Sequence, residues 1–109
     1  MGNQQSDLVK GTLDMLILKT LALEAAHGYG ISLRIEQISG GVFHVNPGSL
    51  LPALSRLERQ GLVSSRWQTS ENNRRAKYYE LTSSGRAKLK TEKRSWERQT
   101  NAIAKILEA

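Results

Sequence analysis

The residues best equipped for chemistry in this chain are cations. Arg74, Arg75 and Lys77 fall within four positions, Arg66 lies shortly before them, and Arg56 and Arg59 follow Ser49, Leu51 and Ser55. Guanidinium and ammonium groups at this density attract phosphates, and arginine can also bond a base edge through its planar fork. Nothing comparable exists for catalysis. There is no cysteine, which removes thiolate nucleophiles, zinc thiolates and disulfides. His27 and His44 have no His, Cys or carboxylate at ligand spacing, so no metal is expected. The serines lack a base partner. The glycines around Gly28 and Gly40 lack the lysine of a phosphate-binding loop. Neither an enzymatic activity nor a cofactor is expected.

The cations are not spread evenly. The chain has 109 residues and a formal charge of +6. Residues 1–46 carry a net −1, residues 47–82 carry +3 and residues 83–109 carry +4. A basic balance of this kind points to an anionic partner, either nucleic acid or a membrane surface. The longest apolar region, Leu8 to Ala26, is interrupted by Lys10, Asp14, Lys19 and Glu24, so it does not read as a membrane span. The polar start lacks the pattern of a signal peptide, and the absence of cysteine fits the cytoplasm. The length allows one domain with a modest core, which a second copy would help to stabilise.

The elements that must position these residues are legible from periodicity and punctuation. Residues 1–6 read as a flexible tail. A first helix is expected from about Asp7 to Ala25, apolar on more than one face and therefore buried on several sides. A second runs from about Tyr29 to Ile38, with Ile31, Ile35 and Ile38 on its inner stripe, and ends at Gly40-Gly41. Val42 to Val45 is a connector with apolar anchors. Asn46-Pro47 is a helix-start signal, and the third helix reaches Gln60 with Leu50, Leu54 and Leu57 inward. Gly61 follows at the position where a left-handed residue is wanted. Pro52 sits awkwardly inside that helix. Leu62 to Thr69 and Ala76 to Leu81 read as a two-stranded hairpin, with Tyr79 in the core, Tyr78 more exposed and Trp67 packed at the hairpin base. Thr82 caps a last helix, Ser83 to about Glu108.

This order is mainly α with a small β-hairpin: a winged helix-turn-helix over residues 7–82 and a long C-terminal dimerisation helix over 83–109. A helix-turn-helix unit lays its second helix in the major groove. The inward stripe of the third helix leaves Ser49, Leu51, Ser55, Arg56 and Arg59 outside. The hairpin adds Arg74, Arg75 and Lys77, with Arg66 on the opposing strand, to grip phosphates or enter the minor groove. Tyr29 could offer its hydroxyl to a phosphate or simply pack. The last helix carries Leu89, Trp96 and Ile103 at intervals of seven, extended by Ile106 and Leu107; one helix cannot bury such a stripe alone, so it lies on the body of the domain or pairs with a copy of itself. A homodimer is expected, which suits a pseudo-palindromic operator in double-stranded DNA. Trp96 could instead stack on a planar ligand. A winged-helix protein-interaction module without a DNA target is the competing reading.

The segments LVKGTLDMLILKTL, HGYGISLRIE, NPGSLLPALSRLERQGLV and RRAKYYELTSSGRAKL make the chain resemble the PadR family of bacterial transcriptional regulators over about Leu8 to Ala109. The resemblance implies a winged-helix DNA-binding domain with a dimerising helix, and repressors whose grip on DNA is often released by a small molecule. It implies DNA contacts at Ser49, Leu51, Ser55 and Arg56 and at Arg74, Arg75 and Lys77. It also implies a flat aromatic effector held near an aromatic residue of the last helix, where this chain has Trp96. One departure stands out: the family usually has tyrosine where this chain has Leu51. Leucine cannot donate a hydrogen bond to DNA but can touch a thymine methyl.

Overall fold

The computed structural model describes residues 12–109. The expected tail and the expected helix start at Asp7 lie outside the described residues. The elements are α1 (Leu13–Leu23), β1 (Ala26–His27), α2 (Gly28–Ile38), α3 (Pro47–Arg59), β2 (Val63–Thr69), β3 (Arg75–Leu81) and α4 (Ser83–Glu108). The architecture is mainly helical with a small antiparallel sheet and a long C-terminal helix, as the sequence predicts.

The sheet has three strands, in the order β1-β3-β2, where the sequence pattern suggested two. Ala26 and His27 pair with Tyr79 and Tyr78. This short strand explains why α1 ends at Leu23 and not at Ala25: Glu24 is already extended, and the chain exchanges another half turn of helix for bonds to β3. A two-residue strand is too short to show alternation.

The core is one cluster. Ile17 and Leu18 of α1, Ile31 of α2, and Leu54 and Leu57 of α3 are fully buried, with Val63, Tyr79 and Leu81 closing it from the sheet. Thr20 is buried among them and satisfies its hydroxyl by donating to the Leu16 carbonyl at 2.8 Å. Ile31 and Ile35 follow the expected stripe, but Ile38 is exposed. The connector takes its place: Phe43 and Val45 pack on the core, tied back by Phe43 N–H to Ser39 Oγ and by Ser32 Oγ to the Val45 carbonyl, both 3.1 Å. Tyr79 is buried and Tyr78 is only partly so, as alternation requires.

Local chemistry fixes α3 at both ends. The Asn46 side chain accepts from Ser49 N–H at 3.0 Å, and Pro47 occupies the first turn, where its missing N–H leaves no bond unmade. Pro52 is accommodated within the helix. At the far end Gly61 takes φ +75°, Leu62 N–H bonds the Leu57 carbonyl and Gly61 N–H bonds the Glu58 carbonyl. This paired closure satisfies two carbonyls and turns the chain sharply into β2.

Helix α4 starts on the same junction. Thr82 Oγ1 accepts from Gly85 N–H at 3.0 Å and donates to the Gly61 carbonyl at 2.7 Å. Gly85 is buried, and a Cβ there would run into the Leu62 carbonyl oxygen and the Leu81 side chain. The helix then lies along α1, with Leu89 packed against the core cluster.

Candidate nucleic-acid interface

Helix α3 presents four distinct strips. Leu50, Ala53, Leu54 and Leu57 face the core. Pro52, Ser55 and Arg59 are exposed on the opposite side. Leu51 and Glu58, seven positions apart, share the flank toward the sheet, where Glu58 accepts from Ser65 Oγ at 2.6 Å and pairs with Lys77 Nζ at 3.5 Å. Ser49 and Arg56 share the other flank by the same spacing. There the Arg56 guanidinium bonds Asp14 of α1 at 2.6 Å. The sequence reading left Arg56 free on the outward face; the structure ties it to α1.

The pleat sorts the wing cations. Trp67 lies opposite Lys77, and Arg75, Lys77, Tyr79 and Leu81 alternate onto one face of β3, the face that turns into the core. Arg66 lies opposite Tyr78 on the other face and bonds Glu80 at 2.6 Å. Arg66 therefore does not join Arg75 and Lys77, contrary to the sequence expectation, because a one-residue offset in a strand reverses the face. Trp67 also departs from its expected place at the hairpin base. It is 58% exposed, with the Arg75 guanidinium 5.2 Å from its ring centroid.

The wing tip is a tight turn. Ser70 N–H bonds the Arg74 carbonyl at 2.7 Å, Asn73 N–H bonds the Ser70 carbonyl at 2.9 Å, and Asn73 adopts φ 60°. Asparagine tolerates that left-handed conformation better than most residues. The turn carries Arg74 and Arg75 into a groove of about 490 Å³ whose other wall is His27, Gly28, Tyr29 and Leu51. Ser49 lies in the first turn of α3, on the flank away from Leu51, its N–H held by Asn46. Among the described residues no carboxylate lies within ion-pair distance of Arg59, Arg74 or Arg75, whereas Arg56, Arg66 and Lys77 each have one. The groove thus combines uncompensated cations on the wing with a partly apolar helix wall.

Sequence reasoning missed the anionic partners. Asp14 and Glu58 were not singled out, although Glu58 sits at the Leu51 flank spacing. Both histidines have one carboxylate nearby: His27 Nε2 is 3.7 Å from Glu71, and His44 Nδ1 is 3.3 Å from Glu36. His27 Nδ1 also accepts from Gly30 N–H at 3.0 Å, so this ring caps α2. Its place just before a glycine-led helix was the available signal.

The stripe on α4 divides. Leu89, expected on the dimer seam, is partly buried against the domain's own core. Trp96, Ile103, Ile106 and Leu107 are exposed. Trp96 borders a hollow of about 130 Å³ with Thr12, Met15, Glu92, Ser95 and Gln99. Among the described residues no helix is long and apolar enough to cross a membrane.

Residues 17–91 match the model of the transcriptional regulator PadR-like family. The transcriptional regulator Rv3488 of Mycobacterium tuberculosis is 35% identical over 81 residues, covering 74% of this chain and 72% of that protein. The structure of a transcriptional regulator from Clostridium thermocellum, Cth-833, superposes with a TM-score of 0.83 at 30% identity, covering 92% of this chain and 97% of that one. Bacillus subtilis PadR in complex with operator DNA is similar at 25% identity with a TM-score of 0.65, over 72% of this chain and 45% of that one. With groove, wing and long last helix in place and the family model matched across most of its length, the chain belongs to the PadR-like family of transcriptional regulators.

Proposed function

We propose that this protein is a sequence-specific DNA-binding regulator, a homodimeric repressor acting in the cytoplasm and not an enzyme. The observation that carries the reading is the groove in which Arg74 and Arg75 face the Leu51 flank of α3. Helix α3 enters the major groove with Leu51, Ser55 and Arg59, and Ser49 stands at the helix entry near the backbone. The wing holds the phosphates through Arg74 and Arg75, with Lys77 as a third cation once Glu58 releases it. Arg56 acts on DNA indirectly, by fixing α3 against α1. Arg66 is the weakest contact, because Glu80 already neutralises it on the opposite face. The similarity to the operator-bound Bacillus subtilis PadR supports this assignment.

Residues 7–82 form the DNA-binding unit in this reading and residues 83–109 the dimerising helix. A second copy covers the exposed Trp96, Ile103, Ile106 and Leu107. Burying such side chains stabilises by roughly 1.5–3 kcal/mol each. A small aromatic effector, held against Trp96 near Met15 and the polar Glu92, Ser95 and Gln99, shifts the relation of the two DNA-binding units and releases the operator.

Selection from a random pool of duplexes tests the core of this proposal. The expected result is enrichment of one sequence arranged as two inverted half-sites, about one helical turn or a multiple of it apart. A pool that enriches no sequence contradicts it and favours a protein-interaction module.

A further inference from the structure

Two solvent-facing apolar side chains border the cation groove in a way that phosphate binding does not explain. Leu51 is 53% exposed and Tyr29 is 74% exposed. Both border the groove against the wing, and both border a second groove of about 480 Å³ between α2 and α3. They form the crest between the two. Leu51 leans over the start of α2, its Cδ2 3.8 Å from where a Cβ of Gly28 would stand. Its isobutyl group is therefore a supported apolar knob, half covered by its own domain and half presented outward.

Leucine has no hydrogen-bond donor or acceptor in its side chain. In the major groove the one apolar group that a base pair offers is the C5-methyl of thymine. The flanking Arg74 and Arg75 bind backbone and set the register, which carries no sequence information by itself. That information comes from α3, from the polar Ser55 and Arg59 and, through a different chemistry, from the Leu51 knob. Resting on the DNA-binding reading above, we infer that Leu51, walled by the Tyr29 ring, reads a thymine methyl in each half-site. Leu51 is then a specificity-determining residue, and Tyr29 excludes water from the contact.

The test removes the methyl alone. The selected duplex is resynthesised with deoxyuridine in place of thymidine, one position at a time, which leaves every base-pair hydrogen bond unchanged. With the wild-type protein, one position in each half-site is expected to weaken binding about fourfold, the value of one buried methyl-sized group. With Leu51→Ala that position is expected to become indifferent to the methyl. Leu51→Met, which keeps an apolar end, is expected to retain a reduced preference. An enriched sequence at which no thymine responds overturns this inference alone, as does a Leu51→Ala protein with an undiminished response. Failure to enrich any sequence overturns the DNA-binding reading and this inference together.

Discussion

The guanidinium of Arg56 reaches 42 residues back along the chain to Asp14 and bonds its Oδ1 at 2.6 Å. This contact stitches the helix proposed to read DNA to the first helix of the core. It also turns the arginine away from the strip formed by Pro52, Ser55 and Arg59. The pair is about 40% exposed on each side, so solvent screening keeps its contribution near 0.5 kcal/mol. In a double-mutant cycle with Asp14→Asn and Arg56→Gln, the two changes are expected to couple by about that amount in urea unfolding. Additive effects would show that the bond does not hold α3 in solution.

Gly85 presents a case where the usual helix rule reverses. Glycine to alanine in a helix interior ordinarily stabilises by about 1 kcal/mol. Here the new methyl would meet the Leu62 carbonyl oxygen and Leu81, and overpacking of this kind costs about 1–3 kcal/mol. Gly85→Ala is expected to lower the thermal midpoint. A raised midpoint would mean that α4 can slide on the Gly61-Leu62 turn.

The N-caps of α3 and α4 differ in how many bonds each side chain makes. Thr82→Val removes an acceptor for Gly85 N–H and a donor to the Gly61 carbonyl, and is expected to destabilise by about 1–2 kcal/mol. Asn46→Ala removes one bond, to Ser49 N–H, and is expected to cost about 1 kcal/mol. Chemical denaturation compares the two, and a larger loss at Asn46 would contradict this ordering.

The exposed end of α4 is expected to govern assembly. Ile103→Asp with Ile106→Asp places charges where a second copy is proposed to sit. Light scattering should find the wild type at twice the chain mass and the variant at one. A wild-type monomer, or a variant that remains dimeric, would remove α4 from the interface.

Trp67 reports on the wing. Arg75 stacks 5.2 Å above its ring, and such a cation on an exposed indole contributes about 0.5–1 kcal/mol. When Arg75 turns to a phosphate that contact is lost. In a Trp96→Phe protein, which leaves Trp67 as the sole indole, emission is expected to shift on adding duplex DNA. Unchanged emission at saturating DNA would place Arg75 off the duplex.

Much of this was readable in advance because it depends on local chemistry. As caps and turns, Asn46-Pro47, Gly61 and Thr82 act within four residues of themselves, and each lies where the residue types demand; only the second bond of Thr82, to the Gly61 carbonyl 21 positions back, is tertiary. The leucine stripe of α3 likewise needed only its own period. What escaped were the contacts set by tertiary approach. The Ala26–His27 strand exists because Tyr78 and Tyr79 come alongside. Arg56 and Arg66 were counted as free cations because Asp14 lies 42 positions from one and Glu80 lies 14 from the other. Leu89 followed the stripe of α4 faithfully, but periodicity cannot say whether a stripe meets its own domain or a copy.

The central claim is that Arg74 and Arg75 hold DNA phosphates beside α3, and the salt dependence of binding tests it most directly. Each phosphate neutralised on duplex DNA contributes about 0.9 to the slope of log K against log salt. Replacing both arginines by alanine in a dimer is therefore expected to flatten that slope by about three to four units on the selected duplex. A slope unchanged from the wild type would contradict the account.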